Sequence, residues 1–102
     1  MTYRLSGPAK EDLWEIWSYV AEHDSLDNAD RIVSELHEAM EKLAEMPASG
    51  HLRTDLAGEA LRFWHVHSFL IVYLPESTPL VVVRVLHGAQ DVKTLLGEET
   101  QD

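Results

Sequence analysis

The chain has 102 residues, no cysteine and a formal charge of −10. That leaves room for one core, excludes disulfide and thiolate chemistry, and disfavours non-specific binding to a phosphate backbone. A hydrophobic content of 45% fits a globular domain, and no run is long and apolar enough to span a membrane or act as a signal core, so the expected location is the cytoplasm.

In chain order, Tyr3 to Ser6 read as a short strand. Gly7 and Pro8 then start a helix, with Ser6 or Gly7 as its cap and the proline tolerated in the first turn. Leu13, Ile16, Trp17, Val20 and Ala21 recur at three- and four-residue spacing, with Glu11, Asp12, Glu15 and Ser18 on the other faces. His23-Asp24-Ser25 breaks this pattern. A second, longer helix carries Leu26, Ala29, Val33, Leu36, Met40 and Leu43 on one stripe and ends at Pro47. So short a link makes the two an antiparallel helical hairpin.

Pro47 to Gly58 reads as a loop. Three β-type runs follow, Ala60 to Val66, Phe69 to Leu74 and Leu80 to Leu86, with turns at His67-Ser68 and Pro75 to Pro79. Connections this short imply antiparallel pairing. Asp91 to Leu96 suits a last helix, with Gly97 to end it. The expected fold is α+β in the order β-α-α-β-β-β-α, a helical hairpin packed on a small antiparallel sheet. One domain is expected over residues 1–97, with an acidic tail at 98–102.

The charge is unevenly spread. Between Ala9 and Met46 the local net is −8, whereas Pro47 to Gly97 is neutral and holds four of the six histidines. An anionic ligand would therefore have to use the second half. His65 and His67 have the spacing of a metal pair on one strand face, but with no cysteine and only His87 as a third ligand, they read as solvent-face or core-edge histidines. No G-x-S-x-G and no phosphate-cradling glycine loop is present. Trp14, Trp17 and Tyr19 suggest a stacking platform for bases, yet the local charge is wrong for nucleic acid, and Trp17 fits the buried stripe.

The densest polar cluster closes the most apolar strand, in VVVRVLHGAQDVKTLL from Val81 to Leu96. Arg62 and Arg84 stand in otherwise apolar strands. If both face the side of the sheet away from the helices, they make a cationic patch; otherwise each pairs with a carboxylate such as Glu15, Glu41 or Asp91. Trp64 sits among Arg62, His65 and His67, a composition suited to anchoring a partner.

AKEDLWEIWSYVAEH (Ala9 to His23), LAEMPASGHLRTDL (Leu43 to Leu56), LRFWHVHSFLIVY (Leu61 to Tyr73) and RVLHGAQDVKTLL (Arg84 to Leu96) follow one another through almost the whole chain. In that order they resemble the RelE/ParE superfamily of bacterial type II toxins, most closely its ParE-like, plasmid-stabilisation branch. The Pro-x-x-Gly loop, the Leu-Arg strand and the R-V-L-H-G-x-x-D close carry most of the resemblance. It implies the same β-α-α-β-β-β-α fold, a toxin neutralised by a cognate antitoxin, and one of two activities. ParE-like toxins act on DNA gyrase without being enzymes; RelE-like toxins are ribosome-dependent mRNA endoribonucleases.

Cutting RNA requires cations to stabilise charge developing on the phosphate and a group to move protons. Where the nuclease branch carries one arginine in the middle strand this chain has Leu70, and where it carries another at the final bend this chain has Gln90. The strand Ala60 to Val66 also contains no lysine. Arg62, Arg84 and His87 remain as a minimal nuclease set. The ParE-like reading has its own departure, since its toxins commonly carry arginine at the position of Gln90. The expectation is a gyrase inhibitor acting by protein–protein binding, with Arg62, Trp64, Arg84, His87 and Gln90 facing the target or antitoxin, and no cofactor or metal. A nuclease and a non-toxic binding module of the same fold are the alternatives.

Overall fold

The computed structural model describes residues 2–52 and 60–87. Strand β1 (Tyr3–Leu5) leads into helix α1 (Gly7–His23) and helix α2 (Leu26–Glu45). After a 3₁₀ turn at Pro47–Ser49 come β2 (His51–Leu52), β3 (Arg62–Val66), β4 (Phe69–Leu74) and β5 (Leu80–His87). The expected last helix, Gln90 and the acidic tail lie outside the described residues, as does the second half of the expected loop, residues 53–58.

Serine side chains start both helices. Ser6 Oγ accepts from the Ala9 amide at 3.1 Å, and Ser25 Oγ accepts from the Asn28 amide at 3.0 Å, each satisfying one of the first-turn donors. Only Asp24 and Ser25 separate the helices, and Asn28 Nδ2 donates to Asp24 Oδ2 at 2.7 Å across the link.

The sheet has the strand order β1-β5-β4-β3-β2. The expected antiparallel pairing holds from β2 through β5, while β1 adds to the far edge parallel to β5, which makes the sheet mixed. Central strand β4 is buried on both faces, which explains its unbroken apolar run. Phe69, Ile71 and Tyr73 meet Leu13, Leu36, Met40 and Leu43 of the helices, whereas Leu70 and Val72 join Leu61, Phe63 and Leu86 on the opposite face.

Three particulars differ from the sequence reading. His51 and Leu52, inside the expected loop, form an edge strand two residues long. Leu26, on the expected buried stripe, is 62% exposed because it stands at the first position of α2, where the helical pattern begins before there is anything to cover it. Asp12, expected on the wet face, is buried.

Candidate functional site

Strand β5 is irregular at its middle. Its pairing with β4 shifts between Val72 and Tyr73, so Val82 and Val85, three residues apart, both face the helices. An extra residue in one strand re-aims the side chains after it, and Arg84 lies in that stretch. β1 has already ended opposite Val82. Groups from the start and first turns of α1 take over its role along the edge of β5. The Ser6 amide donates to the Val82 carbonyl at 3.0 Å, Ser6 Oγ donates to the Val83 carbonyl at 2.6 Å, and the Val85 amide donates to Asp12 Oδ2 at 2.9 Å.

Asp12 also receives Arg84, with Nε at 2.7 Å from Oδ2 and Nη2 at 2.9 Å from Oδ1. One carboxylate thus accepts three N–H groups. Asp12 is the single buried charged residue among those described, and its side chain is 9% exposed against 15% for Arg84. Burying an ion pair is favourable only where geometry is good and the remaining lone pairs are satisfied, and this pair meets both conditions.

Arg62 does something different. It pairs across strands with Tyr73, and its Nη1 donates to the Gly50 carbonyl at 2.7 Å. Tyr73 Oη donates to the Pro47 carbonyl at 2.7 Å and accepts from the Gly50 amide at 2.8 Å. The Pro-x-x-Gly loop is therefore tied down by one phenol and one guanidinium. Gly50 is required for this approach, because a Cβ there would lie 2.3 Å from Tyr73 Oη. Burial pushes the Tyr73 phenol above its ordinary value, with the Gly50 amide and the Arg62 charge pulling the other way.

The two arginines therefore do not converge on a patch away from the helices. Arg62 serves the Tyr73 face, which packs on the helices, and Arg84 reaches a carboxylate of α1 itself. Sequence patterning favoured Glu15 or Glu41 as the helix partner and missed Asp12, whose polar character placed it on the solvent face.

Trp64 packs at the edge of the helix-side core and stacks on His51, with ring centroids 6.1 Å apart. His87 is exposed and meets the Phe69 ring edge-on at 5.5 Å. His65 is exposed on β3. His67 leaves the strand at the two-residue turn, with φ 54°, and contacts Glu35 of α2. The His65–His67 strand pair is thus not formed, and no group of three metal-ligating side chains occurs among the described residues. The His67 hydrogen bond, aided by the charges of His67 and Arg31, holds the Glu35 carboxyl below its usual range.

Between α1 and the end of β5 runs a groove of about 460 Å³. Ile16, Tyr19 and Phe69 give it an apolar lining, with Asp12, Glu15 and His87 supplying polar groups.

A family model described as the ParE toxin of the type II toxin–antitoxin system parDE matches residues 3–92. Toxin ParE1 of Caulobacter vibrioides is 30% identical over 95 residues, covering 93% of this chain and 97% of that relative. A solved structure of the chromosomal ParDE toxin–antitoxin system from P. aeruginosa superposes with a TM-score of 0.73 at 16% identity, over 85% of this chain and 95% of the other. The two helices on a mixed sheet are thus a shared fold, and the chain belongs to the ParE toxin family of type II toxin–antitoxin systems.

Proposed function

We propose that this chain inhibits DNA gyrase by protein–protein binding and is neutralised by a cognate antitoxin. The observation that carries the non-enzymatic reading is the use made of the two sheet arginines. A phosphoryl-cleaving site needs cations aimed at the place where charge develops. Arg84 is held by Asp12 and Arg62 by the Gly50 carbonyl. Both act as struts that hold the end of β5 and the Pro-x-x-Gly loop to the fold. The acidic helical half also opposes docking on a surface made largely of phosphate.

In this reading Arg62 and Arg84 position the surface, and Trp64, His87 and Gln90 meet the target or antitoxin. Rigid presentation lowers the entropy lost on binding. The groove beside β5 is an antitoxin site in the same reading, where Glu15, unlike the Arg84-paired Asp12, favours a segment carrying basic residues. The test is a supercoiling assay with purified gyrase, run beside a ribosome-dependent mRNA cleavage assay. Inhibited supercoiling with intact mRNA is the expected result. Cleaved mRNA with unaffected supercoiling would replace this reading by the nuclease one.

A further inference from the structure

The tryptophans of α1 are absorbed neither by the core nor by the site at the end of β5. Trp14 is 66% exposed. Its ring stacks on Trp17 with centroids 5.6 Å apart and planes 11° from parallel. Trp17 is pinned in turn, since its Nε1–H donates to Asp30 Oδ1 of α2 at 2.9 Å. A hydrogen bond across the helical hairpin thus fixes one indole, which fixes the orientation of the other.

Indole faces attract cations, and a planar guanidinium also stacks on them. The surrounding charge favours the same ligand. Glu11 precedes Trp14 by three residues, Asp30 touches Trp17, and the stretch from Ala9 to Met46 carries a net −8. Lys10, four residues before Trp14, is the one base close to it along α1. We infer that the stacked Trp14–Trp17 pair is a docking platform for an arginine-bearing basic segment of a protein partner. Tryptophan is enriched among residues that dominate binding energies, and a pre-oriented ring loses little entropy on contact. Neither the activity proposed above nor the β5 groove is needed for this inference.

The test uses alanine-based helical peptides carrying arginines, and matched peptides carrying lysines, titrated calorimetrically into the intact chain and its Trp14→Ala variant. Both proteins have the same charge, and the exposed position of Trp14 leaves the core unaltered, which circular dichroism checks. The wild type should bind the arginine peptide about fivefold more tightly than Trp14→Ala does. Its preference for arginine over lysine should shrink in the variant. A Trp17→Phe variant, which lacks the donor to Asp30, should lie between the two. Equal affinities for wild type and Trp14→Ala would reduce the binding to unspecific charge attraction and overturn the inference. So would wild-type self-association that Trp14→Ala abolishes, because the platform would then serve a second copy of the chain.

Discussion

Asp12 is the residue on which the end of the last strand depends. Removing its carboxylate in Asp12→Ala leaves a largely buried guanidinium and the Val85 amide without that acceptor, at a cost of about 3–5 kcal/mol. That is a large share of the stability of a domain this size. The double variant Asp12→Leu/Arg84→Met removes both charges and should recover the part of the loss due to the guanidinium, because a packed apolar pair can replace a buried ion pair, but not the part due to the Val85 amide, which still lacks the carboxylate. Urea unfolding checks both, and an Asp12→Ala loss below about 1 kcal/mol would show that the carboxylate does not hold the strand. Tyr73 allows a similar test at the loop. Tyr73→Phe strips a partner from the Gly50 amide and the Pro47 carbonyl and should cost about 1–3 kcal/mol. Gly50→Ala should cost a similar amount by overpacking against the same ring. Either variant unfolding at the wild-type denaturant concentration would count against the tie described here.

At the scale of elements, what the sequence discloses follows from what kind of pattern each element leaves. The helices were legible because their apolar residues repeat and because Gly7-Pro8 and His23-Asp24-Ser25 mark where the pattern starts and breaks. β3, β4 and β5 were legible because β-branched and aromatic runs lie between turn residues. β2 was not, since two exposed residues carry no periodicity and owe their strand form to Phe63 and Arg62 opposite. The irregularity in β5 was hidden for a related reason: an inserted residue changes which face later side chains occupy without altering composition. Asp12 was misplaced because periodicity assigns polar residues to water and cannot see a partner 72 positions away. Trp64 and His87 were named from composition, and their neighbours His51 and Phe69 became visible only in three dimensions. The β3–β4 turn offers a clean check. His67 adopts a positive φ that glycine takes freely and β-branched residues resist. His67→Val should lose about 1–2 kcal/mol whereas His67→Gly should not, as read by denaturant midpoints. Equal losses would assign the cost to the missing imidazole instead.

At the scale of the molecule, three groups with shifted ionisation contribute to the pH dependence of stability. Tyr3 and Tyr73 are both raised above 10.0, chiefly by burial. The fold therefore favours their neutral forms. Their stabilising contribution is complete below pH 10.0 and is lost as pH rises through the raised values. Glu35 has the opposite sign: its carboxyl is lowered from 4.5, so its contribution is present above that pH and fades as pH falls through the lowered value. Thermal unfolding across pH should show an alkaline decline reduced in Tyr73→Phe and an acid decline reduced in Glu35→Gln. Variant and wild-type curves of the same shape would remove these groups from the account.

The uneven charge points the same way as the site. An acidic helical half, a neutral sheet half and arginines built into the scaffold support the proposed mode of action, binding to another protein. The direct measurement is to induce this chain alone in bacterial cells and follow colony counts together with a DNA-damage reporter. The account predicts loss of colonies with a strong reporter signal. Loss of colonies with a silent reporter, or normal growth of cells that contain the folded protein, would contradict it.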